Sequence, residues 1–426
     1  MNDHDSTSRH VRRVSRRGFL GEAGLVGTGL ATGGILTACD TTTRPSAGQP
    51  DAASSIASQV VSFYGDRQAG IVTTQQERLV FAAFDVVTSN RSALASTLQA
   101  WTLAAAAMTQ GQLIPGVTNT AAPMQDTGEA LGLTPGNLTL TIGFGPSLFD
   151  SRFGLAARKP SVFGALPALP LEELDPAFTG GDISMQACSD DPQIAFHAVR
   201  DLARMASGVM ALRWLEFGFG KTSRTSAGQT TPRNLMGFKD GTRNIASTQT
   251  DLLDRYVWVG SESDQPWMRG GTYQVARRMR MFLETWDADS LGDQERVFGR
   301  YKLSGAPLTG RRENDAPNFG AVRGEEPEPV IPATAHIRVV APEQNGGIHI
   351  LRRGYSFSDG VDASTGTIFA GLFFIAYMQN PSQFVTLARK MANDSMGEYV
   401  RVVGSGLFAV PPGIRPGHWW GAGLLS

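Results

Sequence analysis

The sequence predicts an α+β protein built from two halves. Of its 426 residues, 41% are hydrophobic and 18% are charged, a composition typical of a globular protein with enough apolar material for a core. At roughly 100–200 residues per domain, this length predicts two or three domains. Strand-like and helix-like segments occur in both halves without strict alternation, which favours α+β over a doubly wound sheet. The polar segment 220–235 predicts the boundary between the halves.

Charge and cysteine content narrow the function classes. The formal net charge is -1, and no basic run occurs beyond the N-terminus, which argues against nucleic-acid binding. The cysteines, Cys39 and Cys188, form neither a Cys-x-x-Cys zinc pair nor a Cys-x-x-Cys-His haem attachment site. Any haem would therefore be held non-covalently. We expect Cys188 to be a small buried hydrophobe.

The N-terminus has the layout of an export signal. Residues 1–38 combine a basic head, a weakly apolar middle and a small-residue end. The Ser-Arg-Arg-x-Phe-Leu core at 15–20 resembles the twin-arginine signal. The end of the segment resembles a lipobox, which implies a lipid on Cys39 as the only membrane attachment; simple cleavage near Ala38 is the alternative left open. Residues 39–58 are predicted to be a flexible tether, so we expect a periplasmic or cell-surface protein.

The first half, residues 59–222, is predicted to open with a strand and then a helical region at 71–110. Within that region Thr74 is a candidate cap for the apolar run Leu79–Ala83. The remaining predicted elements are a half-buried strand at Leu138–Ile142, a helix at Asp191–Leu212 and a strand at Arg213–Phe219.

The second half, residues 223–426, is also predicted to mix strands and helices. Residues 322–332 carry three glutamates and three prolines and are predicted to form a loop. The predicted elements, in order, are a strand at Tyr273–Phe282, a helix at Asp287–Arg300, strands at Ala335–Val340, Ile348–Leu351 and Gly366–Tyr377, and a helix at Pro381–Met396.

Histidine is scarce and is therefore the first place to look for chemistry. His197 lies in a helical stretch and His418 stands beside two tryptophans, so a structural role is expected for both. His336 lies in a short strand-like run before a Gly-containing turn. Taken alone, a single strand histidine is also more often structural than a ligand.

Two further motifs are ordinary in isolation. Gly237 and Gly241 flank Asp240 on a tight loop, where glycines let the backbone approach a ligand closely. Arg352 and Arg353 follow an apolar strand, as they would at a solvated strand end.

Together these elements resemble the dye-decolorising peroxidase family, in particular the deferrochelatase/peroxidase branch that accompanies bacterial iron-uptake systems. The resemblance covers nearly the whole chain after the signal, and the loop ending in Asp240-Gly241 is its most specific part. It implies two ferredoxin-like halves in a dimeric α+β barrel-like fold, with non-covalent haem b in a cavity of the second half. Supporting stretches are Phe63–Ile71, Gly143–Gly145, Met185–Cys188, Gly270–Tyr273, Gly299-Arg300, Ser304–Leu308 and Pro411–Gly413.

The resemblance also implies residue roles. His336 matches the axial ligand of the haem iron, Asp240 the distal acid and Arg352 the distal arginine. Asp394 matches a carboxylate that faces the proximal histidine. Close relatives can have a basic residue in place of Glu343, so binding of the haem propionates would fall to Arg338 or Arg243. The implied haem-lining set is Gly241, Thr242, Arg243, Arg338, Ala341, Pro342, Glu343, Arg352, Phe373 and Asp394.

These residue types suit peroxide chemistry. A carboxylate on the second nitrogen of an iron-bound imidazole raises its electron donation, the role expected of Asp394. A positioned acid/base moves a proton between the two peroxide oxygens, the role expected of Asp240. Arg352 would stabilise negative charge on the departing oxygen. Bulky donors could be oxidised at a surface Trp or Tyr, for which Trp258 and Tyr355 are the candidates.

The implied activity is reduction of hydrogen peroxide with oxidation of dye-type or phenolic one-electron donors. Iron-uptake proteins as partners and a homo-oligomeric state stay open. One alternative is a deferrochelatase or haem-handling lipoprotein that releases iron from haem with little turnover. A chlorite-dismutase-like enzyme is a second, against which Asp240 argues. A non-haem surface lipoprotein is a third, and it would make the His, Asp and Arg motifs a coincidence.

Overall fold

The computed structural model describes residues 59–116, 120–226, 228–325 and 327–425. The predicted signal at 1–38, the lipid site at Cys39 and the tether at 39–58 lie outside these residues. None of the helices formed by the described residues combines the length and the apolar character needed to cross a bilayer.

The first half forms a β-α-β-β-α-β unit, which is the ferredoxin-like motif. Its antiparallel sheet has the strand order β2-β3-β1-β4. The elements are β1 (Arg78–Val86), α1 (Arg91–Met108), β2 (Thr139–Phe144), β3 (Ile183–Ser189), α2 (Pro192–Met205) and β4 (Met210–Lys221).

The apolar run at the start of this half is a strand, so the predicted helix is wrong there. Leu79 and Phe81 on one face of β1 join one core cluster, while Val80, Ala82 and Phe84 on the other face join another. Because both faces are buried, the strand shows no polar alternation, and its pattern resembles that of a buried helix. The helix α1 begins only after β1.

The second half repeats the same motif with insertions. Its sheet has the strand order β11-β5-β10-β9. The elements are α3 (Thr250–Tyr256), β5 (Thr272–Met281), α4 (Leu283–Ala288), α5 (Leu291–Phe298), β6 (Val322–Arg323), β7 (Glu328–Pro329), α6 (His336–Val339), β8 (Leu351–Arg352), β9 (Tyr355–Val361), β10 (Ile368–Met378), α7 (Pro381–Lys390), β11 (Val400–Val410) and α8 (Ala422–Leu425).

The two sheets join into one ring. Strand β4 pairs with β9 and strand β11 pairs with β2, both antiparallel, so eight strands of the described chain close into a barrel. Phe81 packs against Trp214 and Phe373 in the core between them, with ring centroids 5.3 and 5.2 Å apart. The predicted α+β fold with two ferredoxin-like halves is confirmed. The predicted boundary between the two halves, at residues 222 and 223, stays a prediction.

The strand predicted at Ala335–Val340 is wrong, and this matters for the site. Residues His336–Val339 form one helical turn, although Ile337 and Val339 are β-branched. Tertiary contacts override this weak local preference: the backbone N–H of Ser395 donates to Thr334 O at 2.9 Å, which ties the entry of α6 to the segment after α7. The strand predicted at 348–351 is reduced to Leu351–Arg352.

Candidate active site

A half-open cavity lies against the outer face of strands β5, β10 and β11. It contains about 1780 Å³ of space not filled by atoms, part of it open to solvent. A large cavity with apolar walls and a few convergent polar groups is the usual form of a cofactor site. The apolar part of the wall includes Leu171, Met279, Met281, Phe298, Ile337, Leu372, Phe374, Val400 and Val402.

His336, the first residue of α6, lines this cavity and is oriented by a buried carboxylate. Its Nδ1 lies 2.7 Å from Oδ2 of Asp394, whose side chain is fully buried and also accepts from the backbone N–H of Met396. Burial alone would lower the pKa of His336, but the charge and hydrogen bond of Asp394 outweigh it and raise that pKa. Because Asp394 accepts from Nδ1, Nε2 is the ring nitrogen available to a ligand.

A second histidine, His349, lines the same cavity but is a poorer ligand candidate. Burial and then the nearby Arg243 lower its pKa. Its ring packs against Tyr256, with centroids 5.0 Å apart. Among the described residues no carboxylate hydrogen-bonds to the ring of His349, so its orientation is less well fixed than that of His336.

Asp240 and Arg352 meet at the same cavity. Arg352 donates from Nη1 to Asp240 Oδ1 at 2.9 Å and from Nη2 to Thr242 O at 3.2 Å. Asn244 holds the backbone of Arg352 from both sides, with bonds of 2.9 Å to its N–H and its carbonyl oxygen. The arginine is therefore held by the loop that carries the acid, and both act electrostatically on His336.

The loop after Asp240 requires a glycine. Gly241 has φ +94, and a Cβ there would lie 2.5 Å from the backbone nitrogen of Arg224. Glu313 fixes the loop from the other side, because it pairs with Lys239 at 2.5 Å and accepts from Thr242 at 3.1 Å. No sequence motif points to Glu313, which lies far along the chain in a polar segment.

Arg300 is the second residue that the sequence analysis left without a role. Its guanidinium lines the cavity, is 5% exposed, and donates to the carbonyl oxygens of Gly305 and Glu313. Within the described residues it forms no ion pair with a carboxylate. Burial and the positive charge of Arg243 and Arg352 lower the pKa of Arg300 to about 10. The cavity therefore holds an excess of positive charge, which suits a ligand with anionic groups.

Most predicted site residues reach the cavity, and four do not, one of which is Asp394 behind His336. Phe373 lies in the barrel core, because successive strand residues point to opposite faces and its neighbours Leu372 and Phe374 take the cavity side. Arg338 donates instead to Ile331 O at 3.0 Å. Glu343 forms an ion pair with Arg243 beside the wall. Of the predicted residues, Asp240, Gly241, Thr242, Arg243, His336, Ala341, Pro342 and Arg352 line the cavity.

The two candidates for surface oxidation are not on the surface. Tyr355 is 0% exposed and Trp258 is 6% exposed. Both pack in the core cluster that fills the barrel. Their positions in the sequence gave no sign of this burial, and the expectation that they are surface residues is wrong.

Comparison with known proteins gives consistent similarities. Residues 68–220 match the N-terminal and residues 231–415 the C-terminal family model of Dyp-type peroxidases. The chain is 36% identical over 421 residues to a deferrochelatase of Yersinia pestis, covering 97% of this chain and 95% of the relative. A deferrochelatase of Escherichia coli K12 is 36% identical over 85% of this chain and 86% of its own.

Solved structures agree with this result. An oxyferrous/water complex of DtpA from Streptomyces lividans superposes with a TM-score of 0.80 and 37% identity, over 87% of this chain and 99% of that one. A DyP-type peroxidase from Streptomyces coelicolor gives a TM-score of 0.79 and 37% identity, over 86% and 97% of the two chains.

Proposed function

We propose that this chain, which belongs to the Dyp-type peroxidase family, binds haem b non-covalently and reduces hydrogen peroxide while oxidising organic one-electron donors. The observation that carries the proposal is the pairing of His336 with Asp394 and of Asp240 with Arg352 around one cavity. The first pair supplies an oriented imidazole. The second supplies a proton carrier beside a fixed positive charge.

The residues present fit haem. His336 offers Nε2 to the iron while Asp394 fixes the ring through Nδ1, which is the usual support of a metal-bound histidine. The apolar walls suit a porphyrin face, and Arg243 and Arg300 supply positive charge for its two carboxylates. When bound, haem would accept the oxidising equivalents of peroxide and pass them singly to donors.

The protein itself handles the proton and the charge. Oδ1 of Asp240 accepts from Arg352, so Oδ2 is the oxygen available to take a proton from one peroxide oxygen and return it to the other. Arg352, held by Thr242 and Asn244, would stabilise negative charge on the departing oxygen without having to reorganise.

Haem binding by the full chain tests this proposal. We would titrate haem into the wild type, His336→Ala and, as a matched control, the exposed His418→Ala, and then add one equivalent of peroxide and a phenolic donor. We expect wild type and the control to bind haem and oxidise the donor, and His336→Ala to bind weakly. Folded wild-type protein that takes up no haem would refute the proposal.

The second candidate function is release of iron from haem, supported by the relatives named deferrochelatase. The same haem titration distinguishes iron release from peroxidase activity. Tight haem binding, no donor oxidation and the appearance of fluorescent metal-free porphyrin would favour this function. A link to iron-uptake partners would follow from that result and has no support from the peroxidase geometry.

We also propose export by the twin-arginine route and a lipid anchor on Cys39. The support is the signal-like layout of residues 1–38 and the lipobox-like end of that segment. Incorporation of labelled fatty acid by the wild type and not by Cys39→Ser would support the anchor. Equal labelling of both would contradict it.

A further inference from the structure

A second group of metal-ligating side chains lies outside the cavity, where the long connection between α1 and β2 meets α2. Asp126 comes from that connection, and His197 and Asp201 lie one helical turn apart on the same face of α2. One ligand atom from each lies within 4.8 Å of the others. All three residues are buried, with 2%, 4% and 0% of their surface exposed.

The spacing around His197 is that of ligands that share a cation. Its Nε2 lies 3.7 Å from Oδ2 of Asp126 and 3.6 Å from Oδ2 of Asp201. Both distances are too long for an N–H···O hydrogen bond, so Nε2 has no hydrogen-bond partner among the described residues. Two ligands of a tetrahedral zinc ion, each about 2.1 Å from the metal, lie about 3.5 Å apart.

The other ring nitrogen of His197 is fixed as the donor. Nδ1 lies 3.1 Å from Oε2 of Glu129, which also accepts from Thr127 and Arg200. Glu129 is thereby placed to accept the Nδ1 proton, and in that arrangement the lone pair of Nε2 lies toward the two aspartates. In many metal sites, a carboxylate accepts a hydrogen bond from one ring nitrogen of a histidine whose other ring nitrogen binds the metal.

The two aspartates are also held in place. Backbone N–H groups donate to them: that of Ile114 to Asp126 at 3.0 Å, and that of Thr127 to both oxygens of Asp201 at 3.2 and 3.3 Å. Arg204 Nε lies 3.6 Å from Oδ1 of Asp201, which leaves Oδ2 of Asp201 and Oδ2 of Asp126 facing Nε2 of His197. A cation held between these atoms would offset the repulsion of two buried carboxylates.

We propose that Asp126, His197 and Asp201 bind a divalent first-row metal ion, with zinc as the best match and water completing its coordination. One imidazole and two carboxylates, each carboxylate near tetrahedral spacing from the imidazole nitrogen, suit zinc. The ion would fasten the connection between α1 and β2, which is long and contains no helix or strand in its described part, onto α2. This site is independent of the proposed peroxidase function.

Zinc stoichiometry of the purified full chain tests the site. After removal of metals with a chelator, we would add zinc and measure bound zinc by mass spectrometry and the melting temperature by calorimetry. The variants are Asp126→Asn, which leaves α2 intact, and His197→Gln, with the exposed Asp254→Asn as the matched control. We expect one zinc per chain in the wild type and the control, and a melting temperature raised by about 3 °C at saturation.

We expect Asp126→Asn to lose the stoichiometric zinc and the rise in melting temperature while remaining folded. If His197→Gln does not fold, Asp126→Asn and the wild-type titration still decide the question. A wild type that binds no zinc and melts at the same temperature with and without it would overturn the proposal. Equal zinc binding by the wild type and Asp126→Asn would also overturn it.

Discussion

Replacing Asp240 with asparagine removes the proton acceptor while keeping the shape of the side chain. In the structure Arg352 donates to Asp240 Oδ1, and the amide oxygen of asparagine can accept the same bond. Arg352 also keeps its bond to Thr242 O and its backbone clamp from Asn244. The positive charge at the cavity therefore stays in place, and the variant isolates the proton transfer.

Because the charge of Arg352 is retained, the expected loss of rate is that of proton transfer alone. Positioned acid/base catalysis contributes about 10²- to 10⁴-fold, so kcat/KM for peroxide should fall by that factor, equivalent to about 3–5 kcal/mol of transition-state stabilisation. The ion pair of Asp240 with Arg352 is partly exposed, so its loss should cost less than about 1 kcal/mol of folding stability. Haem affinity should change little, because Asp240 is not the ligand.

Stopped-flow absorbance after mixing haem-loaded protein with peroxide measures this rate directly. The exposed Asp254→Asn variant removes one charge elsewhere and should react like the wild type. Asp240→Asn reacting within threefold of the wild type, with haem bound and the fold intact, would refute the assignment of Asp240 as the proton carrier.

Two further predictions concern the proximal pair and the barrel core. In Asp394→Asn the raised pKa of His336 should fall, because burial is then no longer outweighed by the charge and hydrogen bond of Asp394. A proton and the iron compete for Nε2, so the variant should lose haem binding at a lower pH than the wild type does in titrations at a series of pH values. Its haem affinity at neutral pH should be reduced about 10- to 100-fold. An unchanged pH dependence of haem binding would contradict this. Phe373→Ala should lower the free energy of unfolding by about 3–5 kcal/mol in denaturant titrations and leave the haem spectrum unaltered. A changed haem spectrum with an unchanged free energy of unfolding would indicate that Phe373 lines the cavity.

The sequence predicted which side chains come together better than it predicted the local structure around them. His336, Asp240 and Arg352 carried recognisable motifs, and the contact expected between His336 and Asp394 is present at 2.7 Å. The backbone at His336 was nevertheless predicted as a strand. Its β-branched neighbours favour a strand, and contacts with distant segments, such as the bond from Ser395 N–H to Thr334 O, override that preference.

Other features lay beyond sequence reasoning for geometric reasons. The side to which Phe373 points depends on the register of β10, and a shift of one residue exchanges the two faces. The importance of Arg300 depends on its burial and on the absence of an ion pair with a carboxylate among the described residues, and neither can be read from one sequence. His197 was expected to be structural, and its three carboxylate neighbours come together only in the fold.

The closed ring of strands has a consequence for how the two halves depend on each other. Where they join, the registered pairing is short: Ala409 opposite Phe144 on one side, and Phe219 and Lys221 opposite Ser356 and Tyr355 on the other. Separated, each half would expose two unpaired edges and half of an aromatic interior, which is a template for aggregation. The two halves are therefore parts of one barrel and not independently stable domains. Protection of the backbone amides from hydrogen exchange should be lost first at the two junctions between the halves.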